Sequence, residues 1–81
     1  NKNYIVYPNP NTGTFTVSYL EDVREFRIIL YDYYGRPVLN QTVDCEPDCD
    51  AKINLPNLSK GLYLLKTISE KGVCSGKIII N

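Results

Sequence analysis

The chain has 81 residues, with nine basic and nine acidic side chains, so its formal net charge is zero. This balance argues against nucleic acid as the main partner, because phosphate binding calls for a basic patch. Histidine is absent, which excludes His-dependent catalytic dyads and triads and His-ligated zinc.

The first strands are predicted from alternating apolar and polar residues. In GTFTVSYL, Phe15, Val17 and Tyr19 share one face and hydroxyl residues share the other, which is typical of a strand with one solvated face. EFRIILYDYYG has apolar residues on both faces, so we predict a central strand that is covered on both sides. RPVLNQTV follows it as a further strand, after a turn around Gly35.

The second half of the chain continues the same pattern. AKINLP predicts a short strand with Ile53 and Leu55 inward, and GLYLLKTIS and VCSGKIIIN predict a closing hairpin across EKG. Gly72 supplies the positive φ that such a turn needs. Turn signals recur roughly every 8–12 residues, as in β-sandwiches, and no helical period persists. We therefore predict an all-β, Ig-like antiparallel β-sandwich in one domain, residues 1–81.

The segment LPNLSKGLY resembles the tyrosine corner of Ig-like sandwiches, in which a phenol bonds to upstream backbone. The positions concerned are Leu58, Gly61 and Tyr63. If Tyr63 is inward, Leu65 and Thr67 are inward too, since side chains alternate along a strand. The alternative is that Tyr63 is only a half-buried strand aromatic.

The segment VDCEPDCD places Cys45 and Cys49 on either side of a bend at Pro47. A disulfide is the first interpretation; it would contribute about 2 kcal/mol in the chain-entropy model and implies an oxidising compartment. Two reduced thiols are a second interpretation. A metal site is the third, either half of a zinc site or calcium on the interleaved acids, although the zinc pairing and the EF-hand spacing are both missing.

Cys74 shares the parity of Ile78 and Ile80 on the last strand, so we expect a buried thiol. Without histidine nothing activates it as a nucleophile. The acidic pairs of the chain lie in predicted turns without an aromatic sugar platform. We therefore predict no enzyme, no cofactor, no metal and no small-molecule substrate.

Three motifs follow one another along the chain: YPNPNTGTFTV, LYDYYGRPV, and LSKGLYLLK with KGVCSGKIII. Their order, spacing and terminal position resemble the type A C-terminal sorting domain of the type IX (Por) secretion system of Bacteroidota. The chain departs from that family in its cysteine loop and in ending on Asn81 rather than Lys. The matching positions are Pro8, Asn9, Pro10, Gly13, Phe15, Leu30, Tyr31, Asp32, Gly35, Val38, Gly61, Tyr63, Leu65, Lys66, Lys77, Ile78 and Ile79.

The resemblance implies a sandwich of about seven strands at the end of a larger secreted cargo. It implies an address tag that passes through the periplasm, crosses the outer membrane, is removed by a sortase-like protease, and leaves the cargo at the cell surface or outside the cell. The expected partners are the outer-membrane secretion machinery and that protease, with a possible homodimer through the terminal edge strand. The expected signal residues lie in the terminal hairpin: Gly61, Tyr63, Leu65, Lys66, Lys77, Ile78, Ile79 and Ile80.

An Ig-like or fibronectin-like accessory or adhesion module of a secreted protein is the alternative function. The two hypotheses differ in what deletion does. Loss of a sorting tag strands the cargo in the periplasm, whereas loss of an accessory module leaves secretion intact and weakens adhesion.

Overall fold

The computed structural model describes residues 3–81, and this part of the chain forms seven β-strands and no helix. It accordingly includes no helix that is long and apolar enough to cross a membrane. The strands are β1 (Tyr4–Tyr7), β2 (Thr14–Tyr19), β3 (Glu25–Tyr31), β4 (Pro37–Asp44), β5 (Asp50–Asn54), β6 (Gly61–Ser69) and β7 (Gly72–Ile80).

The strands form two sheets, with the order β1-β2-β5 in one and β4-β3-β6-β7 in the other. All neighbouring strands are antiparallel. The chain passes between the sheets after β2, after β4 and after β5. This arrangement confirms the predicted all-β, Ig-like sandwich of about seven strands.

The core lies between the sheets and is built from alternate residues of each strand. Period-two alternation puts these side chains on one face of a strand, so burying one of them buries its whole row. The rings of Tyr19 and Phe26 stack across the interface with centroids 4.5 Å apart. The largest fully buried side chains are those of Phe15, Val17, Phe26, Ile28, Leu30, Leu65, Thr67 and Ile78.

Strand β3 is central, as predicted, but the prediction that both its faces are covered was wrong. Its outer face carries Arg27, which is exposed, and Ile29 and Tyr31, which are half-buried. In a two-layer sandwich only the inner face of each sheet meets the other sheet, so the outer face meets solvent. The apolar outer residues of β3 therefore contribute to a surface rather than to a second core.

The loop between β4 and β5 carries the chain from one sheet to the other. Cys45 and Cys49 are joined there by a disulfide, which was the first of the three interpretations. Cys74 is a half-buried thiol that packs against the core, less covered than the sequence suggested. Within residues 3–81 no group of three or more His, Cys, Asp or Glu residues is arranged to hold a metal ion.

Candidate recognition surface

The terminal hairpin consists of β6 and β7, which pair along their full length from Gly61 opposite Ile80 to Ser69 opposite Gly72. Gly72 has φ +125°, the left-handed conformation that was predicted for the end of this turn. Strand β7 covers the edge of β6 and thereby becomes the edge of the four-stranded sheet itself. The hairpin thus has one inner face, one outer face and one open side.

Half of the expected signal residues lie on the inner face of the hairpin. Tyr63, Leu65, Ile78 and Ile80 have exposed fractions of 6%, 0%, 1% and 2%. Side chains this deeply buried hold the hairpin against the opposite sheet and are out of reach of a partner while the domain is folded. Gly61, by contrast, is exposed at the start of β6.

Tyr63 forms the tyrosine corner that the sequence suggested. Its phenol donates a hydrogen bond to the carbonyl oxygen of Ser59, at 2.6 Å. Leu58, upstream in the same motif, is partly buried and packs against the core. Leu65 and Thr67 are both completely buried, as expected if Tyr63 points inward. The motif therefore fixes where the loop enters β6.

The outer face of the hairpin carries an apolar strip. Leu62 lies opposite Ile79 on β7, and Leu64 lies between Tyr31 on β3 and Lys77 on β7. Leu62, Leu64 and Ile79 are 37%, 41% and 47% exposed. Exposed apolar side chains scattered singly need no explanation, but neighbouring ones on a single sheet face indicate an interaction surface.

Two lysines accompany this strip. Lys77 is exposed and lies directly opposite Leu64, and Lys66 is half-buried two pairs further along, opposite Ser75. Both side chains point outward, since each is an odd number of residues from a buried neighbour. We call the outward residues Leu62, Leu64, Lys66, Lys77 and Ile79 the hairpin face.

The end of β7 is held by a segment from the beginning of the chain, which sequence analysis missed. The side chain of Asn9 donates to the carbonyl oxygen of Lys77 (3.3 Å) and accepts from the amide of Ile79 (3.1 Å). The backbone of Asn11 donates to the carbonyl of Ile79 (3.1 Å) and accepts from the amide of Asn81 (2.7 Å). We call Asn9 and Asn11 the asparagine clasp. An Asn side chain has an N–H donor and a carbonyl acceptor like those of a peptide unit, so it can form hydrogen bonds with the unpaired backbone groups of an edge strand.

The clasp is itself fixed from within. The buried side chain of Asn11 accepts from the amide of Gly13 (2.8 Å) and donates to the carbonyl of Pro8 (3.0 Å). Gly13 has φ +106°, and a Cβ there would lie 2.5 Å from the carbonyl oxygen of Leu55. Only glycine fits both constraints. The proline-asparagine motif is therefore a structural support for the terminal strand.

The middle motif forms the turn between β3 and β4. The carboxylate of Asp32 accepts hydrogen bonds from the amides of Tyr34 and Arg36 and from the guanidinium Nε of Arg36, each at 2.9 Å. These hydrogen bonds stabilise the charged carboxylate and so hold the pKa of Asp32 below its ordinary value of 3.8. The bond from the Arg36 amide has the largest effect. The motif residue Gly35 has φ +81°, as the turn requires.

Side chains of the turn differ in exposure. Tyr33 and Tyr34 are 76% and 81% exposed at its tip. Their rings meet edge to face, with centroids 5.7 Å apart. Val38, further along, is partly buried and packs against the core.

Comparison with known proteins gives one family. A family model described as a secretion system C-terminal sorting domain matches residues 5–81. No curated protein sequence matches the chain significantly.

Proposed function

Because the chain belongs to the family of secretion system C-terminal sorting domains, we propose that its hairpin face is the surface that the type IX secretion machinery recognises. Membership in this family implies a sorting signal that directs export across the outer membrane to the surface or the extracellular space. The cargo in this proposal is a larger protein that carries residues 1–81 at its C-terminus.

One observation supports the choice of surface: the terminal hairpin divides into a buried and an accessible half. Of the eight expected signal residues, Tyr63, Leu65, Ile78 and Ile80 are at most 6% exposed. Lys66, Lys77 and Ile79 reach the outer face. The buried four are needed to keep the hairpin folded, and the accessible side chains are those a receptor can contact.

The later steps belong to the same proposal. The folded domain passes through the periplasm, is delivered to the outer-membrane machinery, and is removed by a sortase-like protease at the cell surface.

The proposal also includes a homodimer that forms through the terminal edge strand. The asparagine clasp occupies the edge of β7 from Lys77 onward, so a second copy would have to pair with the earlier part of the strand; analytical ultracentrifugation tests this.

Replacing both Lys66 and Lys77 with Gln in a secreted fusion tests the proposed surface. Neither lysine lies in the core, so the free energy of unfolding should change by less than about 0.5 kcal/mol. We expect surface delivery of the fused cargo to fall and the cargo to accumulate in the periplasm. Lys52→Gln is the matched control, because Lys52 is exposed on the other sheet.

Truncation of residues 77–81 is a weaker test, since it removes the buried Ile78 and Ile80 and unfolds the domain as well as deleting the signal. Deletion of the whole domain decides the function itself. If cargo without the domain reaches the surface at the wild-type level, sorting is wrong, and an accessory or adhesion module takes its place.

A further inference from the structure

The hairpin face borders a groove of about 560 Å³ on the outer side of the four-stranded sheet. Its lining includes the apolar side chains of Leu62 and Leu64, the rings of Tyr31 and Tyr33, and the two lysines Lys66 and Lys77. Its volume lies within the range of roughly 300–1,000 Å³ that is usual for ligand-binding clefts. The groove therefore extends the candidate surface from the hairpin to β3.

The corresponding face of the other sheet is different in character. The outward residues of β2 and β5 are polar and bond to one another across the strands: Thr14 with Asn54 at 3.0 Å, and Ser18 with Asp50 at 2.6 Å. Both faces are outer faces of one sandwich, so position in the fold does not explain the difference. On the outer face of the other sheet the exposed apolar residues are confined to β1, where Ile5 and Tyr7 are 50% and 47% exposed. On the groove side apolar residues extend across β3, β6 and β7, as expected of a docking surface.

The charge beside the groove is unbalanced. Lys66 and Lys77 are diagonal neighbours on the same face, because Lys77 lies opposite Leu64 and Lys66 is two residues beyond Leu64 on β6. Within residues 3–81 the single ion pair between side chains joins Arg36 to Asp32, so the one carboxylate lining the groove is already engaged. Two ammonium groups next to apolar surface are complementary to carboxylates that flank apolar side chains.

We propose that the groove docks a polypeptide segment of the secretion machinery in which Asp or Glu residues flank apolar side chains. This inference rests on the proposed function and names the chemistry of its partner. An anionic membrane is the less fitting occupant. Adsorption to lipid gains only about 1 kcal/mol per basic residue, and the groove is lined by two lysines on a chain of zero net charge.

Charge exchange tests the electrostatic part. Lys66→Glu with Lys77→Glu should lower surface delivery of a fused cargo at least tenfold, whereas Lys66→Arg with Lys77→Arg should keep at least half of it. Lys52→Glu on the outer face of β5 is the matched control and should leave delivery unchanged. All variants should melt within a few degrees of the wild type, which separates recognition from folding.

Loss of the apolar strip tests the other part. Leu64→Thr keeps a residue that favours strands and removes apolar contact area, so delivery should fall at least fivefold. Ile5→Thr is the control, because Ile5 is 50% exposed on the outer face of the other sheet. Equal effects of the two substitutions would overturn the proposal.

A carbodiimide reagent tests the contact directly in cells that are exporting the full fusion. It activates a carboxylate, and the neighbouring lysine amine attacks to form an amide while the reagent leaves as a urea. We expect mass spectrometry to find Lys66 or Lys77 joined to an Asp or Glu of another polypeptide. The Arg variants, which export but do not form the amide, should lose these products.

The remaining outcomes each decide the question. Products that join the lysines only to carboxylates of the same chain would overturn the proposed partner, and so would full delivery by the Glu variants. Co-sedimentation of the purified domain with phosphatidylglycerol vesicles but not phosphatidylcholine vesicles, abolished by the Glu variants, would show a membrane occupant instead. Deletion of the whole domain measures separately whether export requires it. Failure of the groove proposal can therefore be distinguished from failure of the proposed sorting function.

Discussion

At the scale of single residues, two buried tyrosines connect separate parts of the fold, one joining a loop to a strand and the other joining the two sheets. Tyr63 bonds to the backbone of the loop before β6, and the phenol of Tyr4 donates to the carbonyl oxygen of Leu65, at 3.1 Å. Both rings lie in the core with only the hydroxyl needing a partner. These bonds connect segments that packing alone would leave free to shift.

Tyr63→Phe should lower the free energy of unfolding by about 1 kcal/mol, because it removes the phenol and leaves the ring in place. Urea denaturation of the purified domain measures this. The control is Tyr7→Phe, which changes the same atom on a side chain that is 47% exposed. A loss at Tyr7 as large as that at Tyr63 would show that the corner contributes nothing specific.

Stability at alkaline pH should depend on Tyr4. Burial first, and the nearby Cys74 second, raise the pKa of Tyr4 from 10.0 to about 12. As the pH rises, the Tyr4 phenol therefore loses its proton in the unfolded chain before it does so in the folded one. Its contribution to the free energy of unfolding is complete below pH 10 and declines as the pH rises toward 12. Denaturation midpoints measured across this window should fall in the wild type and in Tyr7→Phe. In Tyr4→Phe the decline should be shallower.

At the scale of elements, the terminal strand is supported on both sides. Strand β6 pairs with it along its length, and the asparagine clasp holds its last residues. A strand edge without partners is prone to pair with other chains, and covering it is a common protection. The clasp therefore keeps the end of the hairpin ordered where it would otherwise fray.

Asn11→Ala should destabilise the domain by about 2 kcal/mol, since it leaves the buried amide of Gly13 without its acceptor. Asn9→Ala should cost less, because that side chain is exposed. It should nevertheless speed hydrogen exchange at the amide of Ile79, which loses its acceptor. Asn57→Ala, at an exposed loop position, is the control for both. Unchanged exchange at Ile79 in Asn9→Ala would argue against the clasp.

At the scale of the whole molecule, the disulfide shortens the connection between the two sheets. It closes the loop between β4 in the four-stranded sheet and β5 in the three-stranded one. In an 81-residue domain the core supplies only a modest margin of stability. A cross-link at this point restricts the unfolded chain and so favours the folded state.

The double substitution Cys45→Ser with Cys49→Ser should reduce stability by about 2 kcal/mol, the chain-entropy value for so short a loop. This corresponds to a melting temperature lower by roughly 10 °C for a domain of this size. Thiol titration of the unfolded, unreduced wild type should find one reactive thiol per chain, from Cys74. Finding three would contradict the disulfide.

The sequence by itself determined the strands and several of the turns. Alternation along GTFTVSYL and the hairpin is local, and a period of two leaves no other regular structure. Gly35 and Gly72 marked turns because their backbone conformation is set by neighbouring residues. The tyrosine corner was readable for the same reason, as Tyr63 and Ser59 are four residues apart.

Tertiary structure alone decided which side chains form the proposed recognition surface. Alternation along the last strand placed Ile78 and Ile80 on one face and Ile79 on the other, yet all three were signal candidates. Packing buries Ile78 and Ile80 and leaves Ile79 accessible. The sequence also predicted that both faces of β3 are covered, because an apolar residue of a surface cannot be distinguished by sequence from one of the core. The clasp joins residues 68 and 70 positions apart. Such a contact depends on how the sheets stack, and no local pattern encodes it.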